Sequence, residues 1–382
     1  MWTSRACSTL LVLLLPIAPA AGPLPDAALV LRGGQYLEVR SGTLRPNGAI
    51  VVRGGRIVAM HGPDSSWRPP VGAQVVDLGG RTVLPGLIDA HVHLTLAGDP
   101  DSNALATLRA GFTTVADLGS AGGAGVRLRD AIAAGRVPGP RVIAAGSWIG
   151  ARGGVCEFGG ATVESPAEAR ARATADLESG ADLLKVCVTG WPKDAVAFPD
   201  SVELKREPLD AVMTVAGAAH RPVYAHAIGM AGALLAASRG VRALAHTPVV
   251  DSAGAAALAH TGVRVISTLA SLGPRPGGAE VRRSFRLLRA AGVPIVLGTD
   301  AGVLAHGRNA QELVALTEAG LTPAEAIRAA TVDAAALLAA PELGEIRTGA
   351  AGDFVVVEGD PLETVRVLER PVLVVKEGRV VI

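Results

Sequence analysis

The chain has 382 residues, 49% of them hydrophobic and 19% charged, with 47 glycines and 25 prolines. This composition excludes a disordered, collagen-like or low-complexity polymer and leaves material for one large core and one smaller one. Lys and Arg total 36 against 35 Asp and Glu, a formal net charge of +1, and no basic or acidic block points to nucleic acid or another polyanion as a partner.

Residues 1–22 predict a secretory signal peptide. Arg5 precedes an apolar run from Leu10 to Leu15 that extends to Ala18, and Ala18-Pro19-Ala20-Ala21-Gly22 supplies small residues for cleavage. Pro16 and Pro19 interrupt the run well short of the ~20 apolar residues a spanning helix needs. Cys7 lies before the run, whereas a lipid-modified cysteine would follow it. The expectation is a secreted or periplasmic chain with no stable membrane insertion after cleavage. Cys156 and Cys187 remain beyond the leader, too few for a disulfide framework, so the fold is expected to stand on its core.

Between Ala27 and Val83 short apolar runs alternate with Gly and Pro: Ala28 to Arg32, Tyr36 to Val39, Ala49 to Val52, Arg56 to Met60 and Gln74 to Leu78. These predict strands joined by tight turns. Asp353 to Val357 and Val372 to Val375 repeat the texture. Residues 23–82 and 341–382 are therefore expected to form one small β-sandwich domain from both termini.

Residues 83–340 alternate apolar runs with Ala-rich segments of helical spacing, such as Pro166 to Ser179 and Leu209 to Ala219. Eight strands are predicted: Leu87 to His93, Thr113 to Leu118, Arg141 to Gly146, Leu183 to Thr189, Pro222 to His226, Ala243 to Thr247, Val263 to Ser267 and Pro294 to Asp300. Eight βα units in a span close to the ~250 residues typical of a (β/α)8 TIM barrel predict that α/β fold. An open doubly wound sheet is the alternative, weakened because no glycine-rich dinucleotide fingerprint follows the first strand. Gly122-Gly123-Ala124-Gly125 reads as a loop.

In a barrel the active site lies at the C-terminal strand ends. The polar residues there are His91, His93, Asp117, Lys185, His226, His246 and Asp300. His91 and His93 stand at i and i+2 on one strand face, ~7 Å apart, close enough to share a metal ion. Lys185 lies in an inward stripe with Leu183 and Cys187, where an ammonium is costly unless paired or neutralised.

The run Val83-Leu84-Pro85-Gly86-Leu87-Ile88-Asp89-Ala90-His91-Val92-His93 resembles the amidohydrolase superfamily of metal-dependent hydrolases, in its imidazolonepropionase-like and prolidase-like branch. Val223-Tyr224-Ala225-His226, Ala243-Leu244-Ala245-His246, Pro294-Ile295-Val296-Leu297-Gly298-Thr299-Asp300 and Ala181-Asp182-Leu183-Leu184-Lys185 match further family positions. The resemblance implies two divalent metal ions, with Zn2+ the first choice. It implies His91, His93 and Asp300 on the buried ion, His226 and His246 on the more exposed one, and N6-carboxylated Lys185 bridging. It further implies that metal-activated hydroxide attacks an amide-type C–N bond, with Asp300 as the proton carrier.

The expected partner is a small-molecule amide or peptide, Xaa-Pro and hydrophobic dipeptides included. Two alternatives stand beside this reading: a mononuclear deaminase or cyclic-amide hydrolase with unmodified Lys185, and a non-catalytic extracytoplasmic binding protein on the same barrel. Substrate, metal and oligomeric state are not specified by the sequence. Trp148, Arg152, Trp191 and Arg275 are candidates for substrate contact on loops after strands three, four and seven. Asp117 either orients a ligand histidine or caps a turn, His306 is expected behind the site, and Tyr224 in the core. His61, His220 and His260 are expected to be structural or exposed.

Overall fold

The computed structural model describes residues 28–382; the signal-peptide expectation over residues 1–22 lies outside the described residues. Two sheets make a small domain from both ends of the chain. One is ordered Arg56–His61, Ala49–Arg53, Leu29–Arg32, Gln74–Asp77, and the other Arg379–Val380, Leu373–Lys376, Phe354–Val357, Thr82–Pro85, Gln35–Glu38, Thr43–Pro46. The N-terminal and C-terminal parts of the described chain meet where Phe354–Val357 runs antiparallel to Thr82–Pro85. Alternation drives the packing. Leu29, Leu31, Ile50 and Val52 face Phe354 and Val356 between the sheets, while Val30 and Val51 turn outward beneath Trp67.

After Gly86 the chain enters a parallel barrel of eight strands: β1 (Leu87–Val92), β2 (Phe112–Asp117), β3 (Arg141–Ala151), β4 (Leu183–Cys187), β5 (Val223–His226), β6 (Ala243–Ala245), β7 (Arg264–Ile266) and β8 (Ile295–Val296). Each pairs with the next in order. β8 returns to β1 through Ala90 N donating to Leu297 O (3.0 Å), Asp300 N to His91 O (2.8 Å) and His93 N to Ala301 O (2.7 Å). Glycine permits this closure, because a Cβ on Gly298 would lie 2.8 Å from His91 Cβ. The barrel predicted from the βα alternation is thus the fold observed.

Period-two alternation also separates the layers of the barrel. Leu183, Tyr224, Ala245 and Ile266 fill the interior, whereas Leu184, Val186, Ala225 and Leu244 pack outward under the helices. The helices begin at residues that satisfy their free N–H groups. Ser165 caps Pro166–Glu178, and Thr322 forms a capping box with Glu325 ahead of Pro323. Four helices recur below: α1 (Pro192–Ala197) after β4, α2 (Leu269–Leu272) and α3 (Gly278–Ala290) after β7, and α4 (Gln311–Glu318) after β8.

β3 is longer than expected. A register shift between Ala145 and Trp148 lets the strand continue past Gly146, where Gly150 and Ala151 pair with Thr162 and Val163. β6 is shorter, because His246 (φ 88°) turns into left-handed backbone at the strand end, and β8 is confined to Ile295–Val296, with Asp300 left-handed (φ 59°) beyond it. Among the described residues no helix is long and apolar enough to cross a membrane.

Candidate active site at the C-terminal ends of the barrel strands

β1 delivers two imidazoles to one point. Nε2 of His91 and Nε2 of His93 lie 3.2 Å apart, and they stand 3.4 and 3.3 Å from Oδ1 of Asp300. Barrel closure makes this meeting possible, since Asp300 is pinned to His91 O through its own backbone N–H. These three buried side chains form a group able to hold a metal ion. The His246 ring lies 4.7 Å from that of His91 and 4.5 Å from that of His226. Lys185, on β4, is in register with Trp148 on one side and Tyr224 on the other. The tertiary structure therefore gathers all six residues singled out in the sequence.

The outer partners of the histidines select their tautomers. Nδ1–H of His93 donates to Gly119 O (3.3 Å), leaving the lone pair on Nε2. Nδ1 of His246 pairs with Thr268 Oγ1 (3.0 Å), and with the hydroxyl as acceptor Nε2 is free. His226 runs the other way: its Nε2–H points at Gly190 O (3.4 Å), which leaves Nδ1 as the lone-pair nitrogen.

β1 itself carries a carboxylate absent from the set read in the sequence. Asp89 accepts from His91 N (3.1 Å), Thr299 N (3.0 Å), Thr299 Oγ1 (2.6 Å) and Asn309 Nδ2 (2.8 Å), tying the end of β8 to β1. Burial pushes its carboxyl up to about 6 against those donors. An aspartate two residues before His91 was the available signal, although a register irregularity in β1 sets it opposite Val115 while Ile88 and Ala90 face the interior.

Burial sets the charge state of the cluster. It drives His91 well below the usual imidazole range with Lys185 adding to the effect, and drives His246 well below it with help from His226. Burial followed by Lys185 lowers His226 to about 3. Lys185 falls to about 7 by burial, with Asp300 pulling the other way. Burial alone would raise Asp300, yet the adjoining His93, His246 and Lys185 hold it well below the ordinary carboxylate range. Lys185 Nζ and Asp300 Oδ2 are buried with no hydrogen-bond partner. The imidazoles of His91, His226 and His246 held in the neutral form, an ionised carboxylate and an unsatisfied amine suit a divalent cation.

Residues 82–381 match the sequence profile of the Amidohydrolase family. The chain belongs to that family. It is 31% identical over 419 residues to imidazolonepropionase of Anaeromyxobacter dehalogenans strain 2CP-C, covering 94% of this chain and 96% of the relative. It is 27% identical over 355 residues to ochratoxinase of Aspergillus niger, covering 76% and 72%. A solved Xaa-Pro dipeptidase with methionine bound in its active site superimposes with a TM-score of 0.85 at 28% identity, covering 93% of this chain and 99% of that one. As an amidohydrolase, the protein is a hydrolase of carbon–nitrogen bonds, in a family whose members are generally metal-dependent.

Several residues occupy places the sequence did not assign. Trp148 is not on a loop but inside β3, buried, with its ring 5.4 Å from His93; Gly119 (φ 124°) makes room, since a Cβ there would strike the indole. Trp148 also packs on a disulfide between Cys156 and Cys187. That bridge anchors the loop after β3 to the strand carrying Lys185, so the fold does not stand on its core alone. Its signal was an even pair of cysteines beyond the leader.

Of its two expected roles, Asp117 takes the turn cap: its carboxylate accepts from the backbone N–H of Gly119 in the turn that follows β2. Its Oδ2 accepts from Leu94 N (3.2 Å), Gly119 O takes His93 Nδ1 in its place, and burial pushes its carboxyl up to about 6. His306 supports His93 from behind: Nε2–H donates to His93 O (3.2 Å), and Nδ1 meets Thr107 Oγ1 (3.0 Å).

Trp191 is half-buried and edge-on to His226 at 5.3 Å, with the Arg275 guanidinium 5.8 Å over its ring. Arg152 turns to the surface and pairs with Glu164. Tyr224 lies in the barrel core. His61 stacks on Trp67 in the small domain, and His220 and His260 are exposed.

Proposed function

We propose that this amidohydrolase hydrolyses the amide bond of a small amino-acid-derived substrate, a dipeptide or an N-acyl amino acid, using two zinc ions and a carboxylated Lys185. The observation that carries the reading is the convergence of His91 Nε2 and His93 Nε2 on Asp300 Oδ1 beside a buried lysine amine with no partner. His91, His93 and Asp300 would hold one ion, His226 and His246 the other. When bound, the ions supply Lewis acidity toward the scissile carbonyl and toward water.

The remaining chemistry belongs to the chain's own groups. Lys185, lowered to about 7 by burial, presents a neutral amine whose nitrogen bonds to the carbon of carbon dioxide and loses a proton, giving an anionic carbamate in a pocket of imidazoles. Asp300 starts ionised, so it accepts a proton from the attacking water and passes it to the departing nitrogen. Trp148 and Trp191 flank the histidines and exclude bulk water. The relatives support the substrate class: one solved neighbour is a Xaa-Pro dipeptidase with bound methionine, and a curated relative is an ochratoxinase.

A one-ion reading is favoured by a different observation, that three donors, His91, His93 and Asp300, already close around a single point. Metal analysis of the zinc-reconstituted protein separates the two, combined with a hydrolysis screen of dipeptides, N-acyl amino acids and lactones. Two equivalents per chain and amide turnover are expected, with Asp300→Asn lowering kcat by roughly 10²- to 10⁴-fold. Full turnover in Asp300→Asn would overturn the mechanism, and one equivalent with an active Lys185→Ala would favour the one-ion enzyme. Export through residues 1–22 is proposed as well, supported by the Cys156–Cys187 disulfide; fractionation of cells expressing the full chain tests it.

A further inference from the structure

Among the candidates at the barrel mouth, Arg275 stands apart. Its guanidinium lies 5.8 Å over the Trp191 ring, and Nε donates to Ser271 O (3.1 Å) at the end of α2. That bond fixes the plane of the guanidinium while its two terminal nitrogens meet no acceptor among the described residues. Among the described residues no Asp or Glu forms an ion pair with it, whereas Arg152 at the same mouth is committed to Glu164. Trp191 links Arg275 to the reacting centre: the same indole is edge-on to His226 at 5.3 Å and lies 6.2 Å from His246.

The placement is built into the backbone. Gly277 adopts φ 84°, and a Cβ there would lie 2.8 Å from the carbonyl of Pro192, so the turn between α2 and α3 sits directly on the start of α1, next to Trp191. Arg282 donates to Gly273 O in the same turn. Two mouth loops thus hold one cation on an aromatic face, with two nitrogens presented as a fork. A guanidinium fork matches a carboxylate in two parallel hydrogen bonds.

We propose that Arg275 is the specificity residue that recognises a carboxylate on the substrate, with Trp191 as the platform that sets its distance from the histidines. This rests on the amide-hydrolase reading for its location and names the substrate class within it: amides that carry a free carboxylate close to the scissile bond. In a dipeptide or N-acyl amino acid the carboxylate is one residue, ~3.5 Å, beyond that bond.

The test is binding to the zinc-loaded enzyme, so that it reads recognition whether or not turnover follows. Titration calorimetry compares N-acetyl-phenylalanine with its carboxamide, and leucyl-phenylalanine with its C-terminal amide at a temperature where turnover is slow, in wild type, Arg275→Met and Arg275→Lys. The expected result is at least a tenfold preference of wild type for each carboxylate, lost in Arg275→Met and partly regained in Arg275→Lys. A preference confined to the dipeptide pair would assign the recognised group to a peptide C-terminus rather than to N-acyl amino acids. Equal affinity of wild type for carboxylate and carboxamide overturns the proposal, as does a preference that survives in Arg275→Met, which would place the carboxylate on the metal ions instead. Failure to hydrolyse any amide while the Arg275-dependent preference persists would sink the hydrolase reading alone.

Discussion

Thr268 Oγ1 lies 3.0 Å from Nδ1 of His246, and both residues adopt left-handed backbone, φ 48° and φ 88°. Neither is glycine, and such conformations cost of order 1–3 kcal/mol each unless the surroundings enforce them. The enforcement comes from α4. Buried Glu312 accepts from Ser267 Oγ (2.6 Å), Leu269 N (2.8 Å) and Ala270 N (2.6 Å), bracketing Thr268 on both sides. A carboxyl group on one helix thereby aims a hydroxyl on the neighbouring loop at a candidate ligand histidine.

Thr268→Val keeps the shape and removes the acceptor for His246 Nδ1–H. Zinc affinity is expected to fall by about 10- to 100-fold, measured by competition with a chelator of known affinity. Unchanged affinity would show that the hydroxyl does not orient the ring.

Lys185→Met removes a buried amine that has no hydrogen-bond partner. The metal-free protein is expected to be more stable by about 1–3 kcal/mol, the usual cost of an unsatisfied buried polar group, while bound zinc drops from two equivalents to one. Denaturant unfolding of the metal-free protein and elemental analysis of the loaded protein check the two halves. A metal-free Lys185→Met that unfolds more readily than wild type would mean that the amine has a stabilising partner.

Glu312 carries a pH signature. Burial raises its carboxyl from 4.5 to about 8 in spite of its three donors. The folded state therefore keeps a proton that the unfolded chain releases above about 4.5, so this contribution is fully present below that pH and is lost as pH rises through about 8. Asp89 and Asp117, raised to about 6 by burial, act in the same direction over a lower range; Asp117 cancels when wild type is compared with Glu312→Gln, and the charge of Asp89, which itself raises Glu312, is part of the difference read. The stability of wild type relative to Glu312→Gln is expected to decline by about 1 kcal/mol or more between pH 5 and pH 8, read from urea midpoints across that range. A difference that does not vary with pH would show that Glu312 ionises as freely in the fold as in the unfolded chain.

The disulfide joins residues 31 apart in sequence. Closing a loop of that length constrains the unfolded chain by about 3–4 kcal/mol in the chain-entropy account. The double substitution Cys156→Ser with Cys187→Ser should lower stability by that order, and added reductant should lower the stability of wild type but not of the variant. Insensitivity of wild type to reductant under unfolding conditions would place the stabilisation elsewhere.

Local periodicity was enough to expose the barrel and most of its site. Eight apolar runs separated by Ala-rich helical segments imply eight parallel strands, and alternation along β4 puts Leu183, Lys185 and Cys187 on the interior face while Leu184 and Val186 face the helices. The same rule places His91 and His93 together at one strand end. These are properties of a few consecutive residues, and a chain carries them before it folds.

Contacts between distant segments were decided only when the barrel closed. Asp300 reaches His91 and His93 because β8 hydrogen-bonds to β1 across some 200 residues of chain. Asp89 finds Thr299 and Asn309 by that same closure, and Cys156 finds Cys187 because β3 runs beyond its expected end. Gly119, Gly190 and Thr268 orient three histidines from loops with no chemical signature of their own. Such partners are ordinary residues until strand register and loop path bring them within hydrogen-bond distance, and nothing in their local sequence encodes that distance.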